Sequence, residues 1–178
     1  MPSRLTQPTD LAGEIGCLKP RLRSELGPGG ELGSVRIMNT SARNRFDGTV
    51  TEIRSGAVND EIDLTLPTGE RIAAVITRAS TEELGLRVGG PATALVKAPW
   101  IVLVTDSEGM RFSARNQFAG TVSGLTRGAV NTAVELRSGK LVLSVVVTNE
   151  SADELALVPG VAATALFKAS HVILATPA

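Results

Sequence analysis

From residue 34 onward the chain runs in short stretches of Val, Ile, Leu and Thr that alternate with polar residues and stop at turn signals. Phe46 to Ile53, Glu61 to Leu66, Arg71 to Thr77, Pro91 to Val96 and Trp100 to Thr105 have the β-branched content and spacing of strands. Arg54-Ser55-Gly56, Pro67-Thr68-Gly69 and Gly89-Gly90 supply turns between them. One stretch departs from this texture. In Ser80-Thr81-Glu82-Glu83-Leu84-Gly85-Leu86, a Ser followed three residues later by Glu is a capping box, which predicts one short helix opened by Ser80. The succession then returns: Gln117 to Gly124, Val130 to Leu136, Leu141 to Thr148, Ala162 to Lys168 and His171 to Ala175 are predicted strands. Thr126-Arg127-Gly128 and Arg137-Ser138-Gly139 are their turns, and Ser151-Ala152-Asp153-Glu154 is the second capping box. Residues 1–34 differ. Pro2, Pro8, Pro20, Pro28 and the Gly27-Pro28-Gly29-Gly30 run limit any helix to a turn or two, at Leu11 to Leu18 or Pro20 to Leu26.

The return is a duplication. Ser41-Ala42-Arg43-Asn44-Arg45-Phe46 recurs as Ser113-Ala114-Arg115-Asn116-Gln117-Phe118, and Gly48-Thr49-Val50 as Gly120-Thr121-Val122. Ser41 and Ser113 stand 72 positions apart, and Lys97-Ala98 recurs 71 positions on as Lys168-Ala169. The expected organisation is therefore a flexible leader over 1–34, a first unit over 35–106 and a second over 107–178. Five strands and one short helix in about 70 residues predict a small barrel of the oligomer-binding-fold type. The fold class is all-β, with two such five-stranded barrels in tandem. Sheet edges and small cores both favour pairing between units or chains.

Composition narrows the function. Eighteen basic residues balance eighteen acidic ones, so no global field favours nucleic acid or an anionic membrane, and any anion site must be local. Aromatic residues make up 3% with no Tyr, which leaves no platform for stacking bases. Nothing in the leader has the periodicity of a helix-turn-helix. The single Cys17 cannot form an internal disulfide, in keeping with a reducing compartment. No apolar stretch approaches a membrane span, and the first twenty residues lack the apolar core of a signal peptide, so a cytoplasmic location is expected.

The catalytic inventory is thin. His171 lies in an apolar run, Cys17 has no basic neighbour to activate it, and no Cys, His or carboxylate set has metal-ligand spacing. Gly139-Lys140 lacks the remainder of a phosphate loop, since Val134 and Leu141 stand where Gly and Ser or Thr belong. Likewise Leu32 stands where the dinucleotide fingerprint needs its third Gly. What recurs in both units is a set of donors: Ser41, Arg43, Thr77, Ser80 and Lys97, matched by Ser113, Arg115, Thr148, Ser151 and Lys168. Arg offers a planar fork, Lys a point charge and the hydroxyls neutral donors, all suited to a tetrahedral oxyanion. Ser80 and Ser151 would add free backbone N–H groups if they opened helices. The same residues also suit a purely structural duty as loop polar groups, helix caps and solvated strand ends, and a duplication copies either kind.

Thr40-Ser41-Ala42-Arg43-Asn44, then Phe46-x-Gly48-Thr49-Val50, then Leu95-Val96-Lys97-Ala98-Pro99-Trp100 together resemble the molybdate-binding Mop domain. This is the unit of the molbindins and of the C-terminal half of ModE-type molybdate-responsive regulators. Ser113 to Val122 and Phe167-Lys168-Ala169-Ser170-His171-Val172-Ile173-Leu174 resemble it again. The resemblance spans 35–178 and is specific in these motifs, resting on pattern between them. It implies tandem Mop (TOBE) barrels that bind molybdate, and tungstate with it, with no enzymatic step and no resident cofactor or metal. By motif match, Ser41, Ala42, Arg43, Lys97 and Ala98 would hold oxyanion, with Thr77 and Ser80 contributed by a neighbouring unit. Ser113, Ala114, Arg115, Thr148, Ser151, Lys168, Ala169 and Ser170 hold the matching places. The implied role is storage and homeostasis of molybdenum in a homotrimer, without direct nucleic-acid binding. The alternative is the sensing module, dimeric in that case, of a regulator without its own DNA-binding domain. Two departures between the units, Pro99 against Ser170 and Arg45 against Gln117, suggest sites of unequal affinity.

Overall fold

Residues 38–177 are described by the structure, a computed structural model. The expected leader and its short helical stretches lie outside these residues. The first repeat forms strands β1 (Asn44–Ser55), β2 (Asn59–Thr65) and β3 (Arg71–Thr77), helix α1 (Arg78–Glu83) and strand β4 (Pro91–Val96). A 3-10 turn (Ala98–Trp100) and the short strand β5 (Val102–Val104) close it. The second repeats the plan with β6 (Asn116–Arg127), β7 (Asn131–Ser138), β8 (Leu141–Thr148), α2 (Asn149–Glu154) and β9 (Ala162–Phe167). It too ends in a 3-10 turn (Ala169–His171) and a short strand, β10 (Ile173–Ala175).

These elements make two curled, antiparallel, five-stranded half-barrels, the nearly all-β architecture expected. Alternation builds each of them. Val50, Ile62, Leu64, Ile72 and Val96 point inward from the first sheet, and Val122, Val134, Leu136, Leu143 and Val145 from the second, all essentially sealed from solvent. Curling needs a local break in register, and it falls at equivalent places, between Val50 and Glu52 and between Val122 and Gly124. The Gly of each Gly-Thr-Val phrase serves the same bend. A Cβ on Gly48 would sit 2.8 Å from the Thr65 carbonyl oxygen, and one on Gly120 would collide with the Arg137 carbonyl. The Phe of the phrase is a core anchor: Phe46 and Phe118 are buried, the latter stacked on Phe167 at 5.8 Å.

The five strands of a sheet are not five consecutive ones. The orders are β10-β4-β1-β2-β3 and β5-β9-β6-β7-β8, so each repeat gives its last strand to the other's sheet. Ile173 to Ala175 pair with Leu95 to Thr93, and Val102 to Val104 with Leu166 to Thr164. The exchange covers the edges of β4 and β9, and one continuous apolar core draws on both repeats.

The helices begin earlier than the capping boxes imply. Thr77 and Thr148 are the N-caps, each accepting at Oγ1 from the backbone N–H of Ser80 or Ser151 at 3.1 Å. Both Thr residues end a strand in extended conformation, so the strand runs straight into its own cap and the Ser lies at the third helical position. Ser80 and Ser151 therefore do not open the helices, and their N–H groups are not free. No helix among the described residues is long and apolar enough to cross a membrane.

Candidate functional site

The Asn that closes each Ser-Ala-Arg-Asn phrase is the first residue of β1 or β6, is buried, and reaches into the other repeat. The Asn116 amide accepts from Ala73 N–H and donates to Ala73 C=O, both at 2.8 Å. Asn44 does the same with Ser144, at 2.7 and 2.8 Å, and donates also to the Val96 carbonyl. Ala73 and Ser144 lie midway along β3 and β8, the outer strands of the two sheets. One side-chain amide thus stands in for a missing neighbour strand and fixes the adjoining Ser-Ala-Arg segment against the opposite repeat.

Register completes the gathering of cations. Asn44 is paired with Val96 and Asn116 with Phe167, so Arg43 and Lys97 emerge at one sheet end, and Arg115 and Lys168 at the other. Each Lys is exposed and caps a 3-10 turn whose first residue, Ala98 or Ala169, is buried. The Lys97 ammonium is 6.0 Å from the Trp100 ring centroid, and that ring meets His171 of the other turn at 5.8 Å. His171 is thus a packing partner of Trp100, its ring tilted by 45°. The loops are held differently: Gln117 donates to the Ala114 carbonyl at 2.8 Å, whereas Arg45 turns to Asp47 at 3.2 Å.

The hydroxyls come from across the molecule. β3 packs on the turn Ala169–His171, and β8 on the turn Ala98–Trp100. Thr77 Oγ1 and Ser80 Oγ are 2.8 Å apart, as are Thr148 and Ser151 at 2.9 Å, each pair presenting two oxygens at a strand-to-helix corner. A cleft of about 400 Å³ opens where Thr77, Ser80 and Asn59 of the first repeat face Ser170 of the second, over an apolar floor that includes Val75, Leu84 and Val172. Among the described residues, no carboxylate lines it. The candidate residues thus sort within the chain into two composite groups. One combines Ser113, Ala114, Arg115, Lys168, Ala169 and Ser170 with Thr77 and Ser80; the other combines Ser41, Ala42, Arg43, Lys97 and Ala98 with Thr148 and Ser151. Ser113, Arg115 and Lys168 do not themselves line the cleft. Among the described residues, no three His, Cys, Asp or Glu side chains gather as a metal site would require.

Two stretches, residues 40–103 and 113–174, each match the TOBE domain model. The chain belongs to the TOBE-domain family. It is 48% identical over 141 residues to the molybdenum-pterin-binding protein MopA of Rhodobacter capsulatus, covering 79% of this chain and 53% of that protein. To the molybdenum transport protein ModE of Azotobacter vinelandii it is 47% identical over 140 residues, covering 78% of this chain and 51% of that one. The chain thus spans about half the length of these curated relatives. Among solved structures, the cytoplasmic molybdate-binding protein ModG, crystallised with molybdate bound, superposes with a TM-score of 0.76 at 48% identity. That match covers 79% of this chain and 100% of ModG.

Within the TOBE repeats, residue chemistry alone did not single out Asn44, Asn116 or Glu61. The two Asn residues stood inside the duplicated phrase, which was their only signal. Glu61 carries none, because the equivalent position of the second repeat is Ala133. It accepts from Arg115 at 3.0 Å and from Arg54 at 2.8 Å, with its side chain 19% exposed.

Proposed function

We propose that this chain binds molybdate, and tungstate as its near twin in size and charge, at two composite sites, and that it buffers the oxyanion in the cytoplasm without transforming it. The observation that carries this is the cleft in which Thr77 and Ser80 of one TOBE repeat face Ser170 of the other, donor-rich and, among the described residues, lined by no carboxylate. A tetrahedral dianion needs hydrogen-bond donors from several directions, and a cleft between two repeats can supply them where one loop cannot. In each site the exposed Arg and Lys give charge, the Thr–Ser pair gives hydroxyl donors once it turns from its mutual bond, and the backbone of Ala98 or Ala169 lies alongside. The molybdate-bound structure of ModG, matched along its whole length, supports a binding protein rather than a sensing module. Relatives described as a molybdenum-pterin-binding protein and a molybdenum transport protein support a function without catalysis. Exposed apolar residues of the exchanged strands, Val102 and Ile173, the latter at the cleft, support assembly into a homo-oligomer, for which we propose a trimer.

Isothermal titration calorimetry tests the site. Arg43→Ala or Lys97→Ala removes a charge-assisted donor, and molybdate affinity at that site should fall ten- to hundredfold, from a loss of about 1.5–3 kcal/mol. Unchanged affinity in both variants would remove these residues from the site.

A further inference from the structure

The two composite groups share their Ser-Ala-Arg, Lys and Thr–Ser donors, with Ser170 in one matched by Pro99 in the other, and they differ more widely in their surroundings. Glu61 lies on β2 between Asn59 and Asp63 and is paired with Val75 of β3. Residues opposite one another, or two apart, share a face of a sheet, so Glu61 stands beside Asn59, Val75 and Thr77, all of which line the cleft. Its carboxylate draws in Arg115, the guanidinium of the second repeat's own phrase, at 3.0 Å. Glu61 is one member of a network in which Arg54 also contacts Glu52 at 2.9 Å and Asp63 at 2.7 Å. Three carboxylates there face two guanidiniums, so Arg115 is needed for near-neutrality. Among the described residues, the second repeat has no such network. Gly124, Thr126 and Ala133 occupy the register positions of Glu52, Arg54 and Glu61, and Arg127 is engaged instead by Asp153. Among the described residues Arg43 has no ion pair.

We propose that Glu61 makes the two anion sites of the chain unequal, by holding Arg115 and by placing a fixed negative charge beside the cleft. The site built on Arg43 fills first. The site built on Arg115 fills only as the incoming dianion competes with Glu61 for that guanidinium. This rests on the oxyanion-binding function proposed above. Glu61 touches no ligand in this scheme; it is a positioning residue that sets affinity through Arg115 and through its own field. Arg115 is more than half exposed, so solvent screens the pair and its effect on affinity is several-fold rather than thousandfold.

Molybdate titrations by calorimetry, with the full chain, separate the possibilities. In an Arg43→Ala background the remaining uptake reports the Arg115 site. Adding Glu61→Gln, which keeps the shape and removes the charge, should tighten that uptake about three- to tenfold, and more at low ionic strength than at high. The converse change, Ala133→Glu in an otherwise unaltered chain, should weaken the tighter class of sites by a similar factor. A purely structural role for Glu61 would move stability without this site-selective, salt-dependent change. Two equal classes of site in the unaltered chain, or residual uptake indifferent to Glu61→Gln, would overturn this inference alone. No molybdate uptake by the unaltered chain would overturn it together with the function beneath it.

Discussion

Asn44 and Asn116 show how much of the site one side chain can organise. Each satisfies a backbone N–H and a C=O on the other repeat's outer strand, and each begins the strand that follows the Ser-Ala-Arg segment. Asn116→Ala would leave both Ala73 groups without a partner in a partly buried place, at a cost on the order of 2–3 kcal/mol. Urea denaturation should show that loss, and molybdate affinity at the Arg115 site should fall with it; a variant as stable as the parent would contradict the bridging role. Gly48→Ala should also destabilise, by about 1–3 kcal/mol, because its new methyl group meets a backbone carbonyl that cannot turn away. The chemistry of the Arg, Lys, Ser and Thr donors was legible from residue type and recurrence. The part played by Asn was not, because its partners lie 43 and 100 residues away and local pattern carries no trace of so distant a pairing.

At the scale of elements, the strands were legible where alternation was cleanest. β3, β4 and β8 have the limits read from sequence, whereas β1 and β6 run further at both ends because polar residues such as Arg54 and Arg127 continue the pairing past the apolar positions. The helices were found, but their caps were misplaced by a turn, since the Thr that caps each one also ends a strand. Trp100 and His171, read as strand residues, belong to the 3-10 turns that carry the Lys residues. Helix α2 has a tether that α1 lacks in this form: Arg127 of β6 bonds Asp153 at 2.6 and 2.7 Å. The hydrogen bond from Arg127, ahead of any other cause, holds the Asp153 carboxyl below its ordinary 3.8. A lowered carboxyl contributes stability above its ordinary value and loses it as pH falls through the lowered one. Hydrogen-exchange protection in Asn149–Glu154, corrected for the intrinsic rate at each pH, should therefore fall on acidification below about pH 3.8, and Asp153→Asn should abolish that dependence. The pair is exposed, so the change should stay local, and an unaltered acid profile in the variant would show that the tether contributes nothing.

For the whole molecule, the exchange of last strands is the organising feature, and duplication in the sequence did not disclose it. Two copies of one motif are compatible with each barrel closing on its own strand or on its neighbour's. Because β4 and β9 are equivalent, β5 fits either edge, and only the path of the connection decides. Residues 38–106 produced alone should consequently associate through a reciprocal exchange of β5 between copies; light scattering showing a stable folded monomer would contradict this. The same exchange ties the two repeats into one body and brings the cation-bearing turn of each against the Thr–Ser corner of the other. That is why the proposed sites are composite, and why neither repeat holds a complete one. Native mass spectrometry of the full chain with molybdate added stepwise, beside sulfate and phosphate controls, tests this most directly. Saturable uptake of about two molybdates per chain, with the controls excluded, is the expected result. No uptake, or equal uptake of sulfate, would mean that the duplicated donors are scaffolding and that the oxyanion function does not belong to this protein.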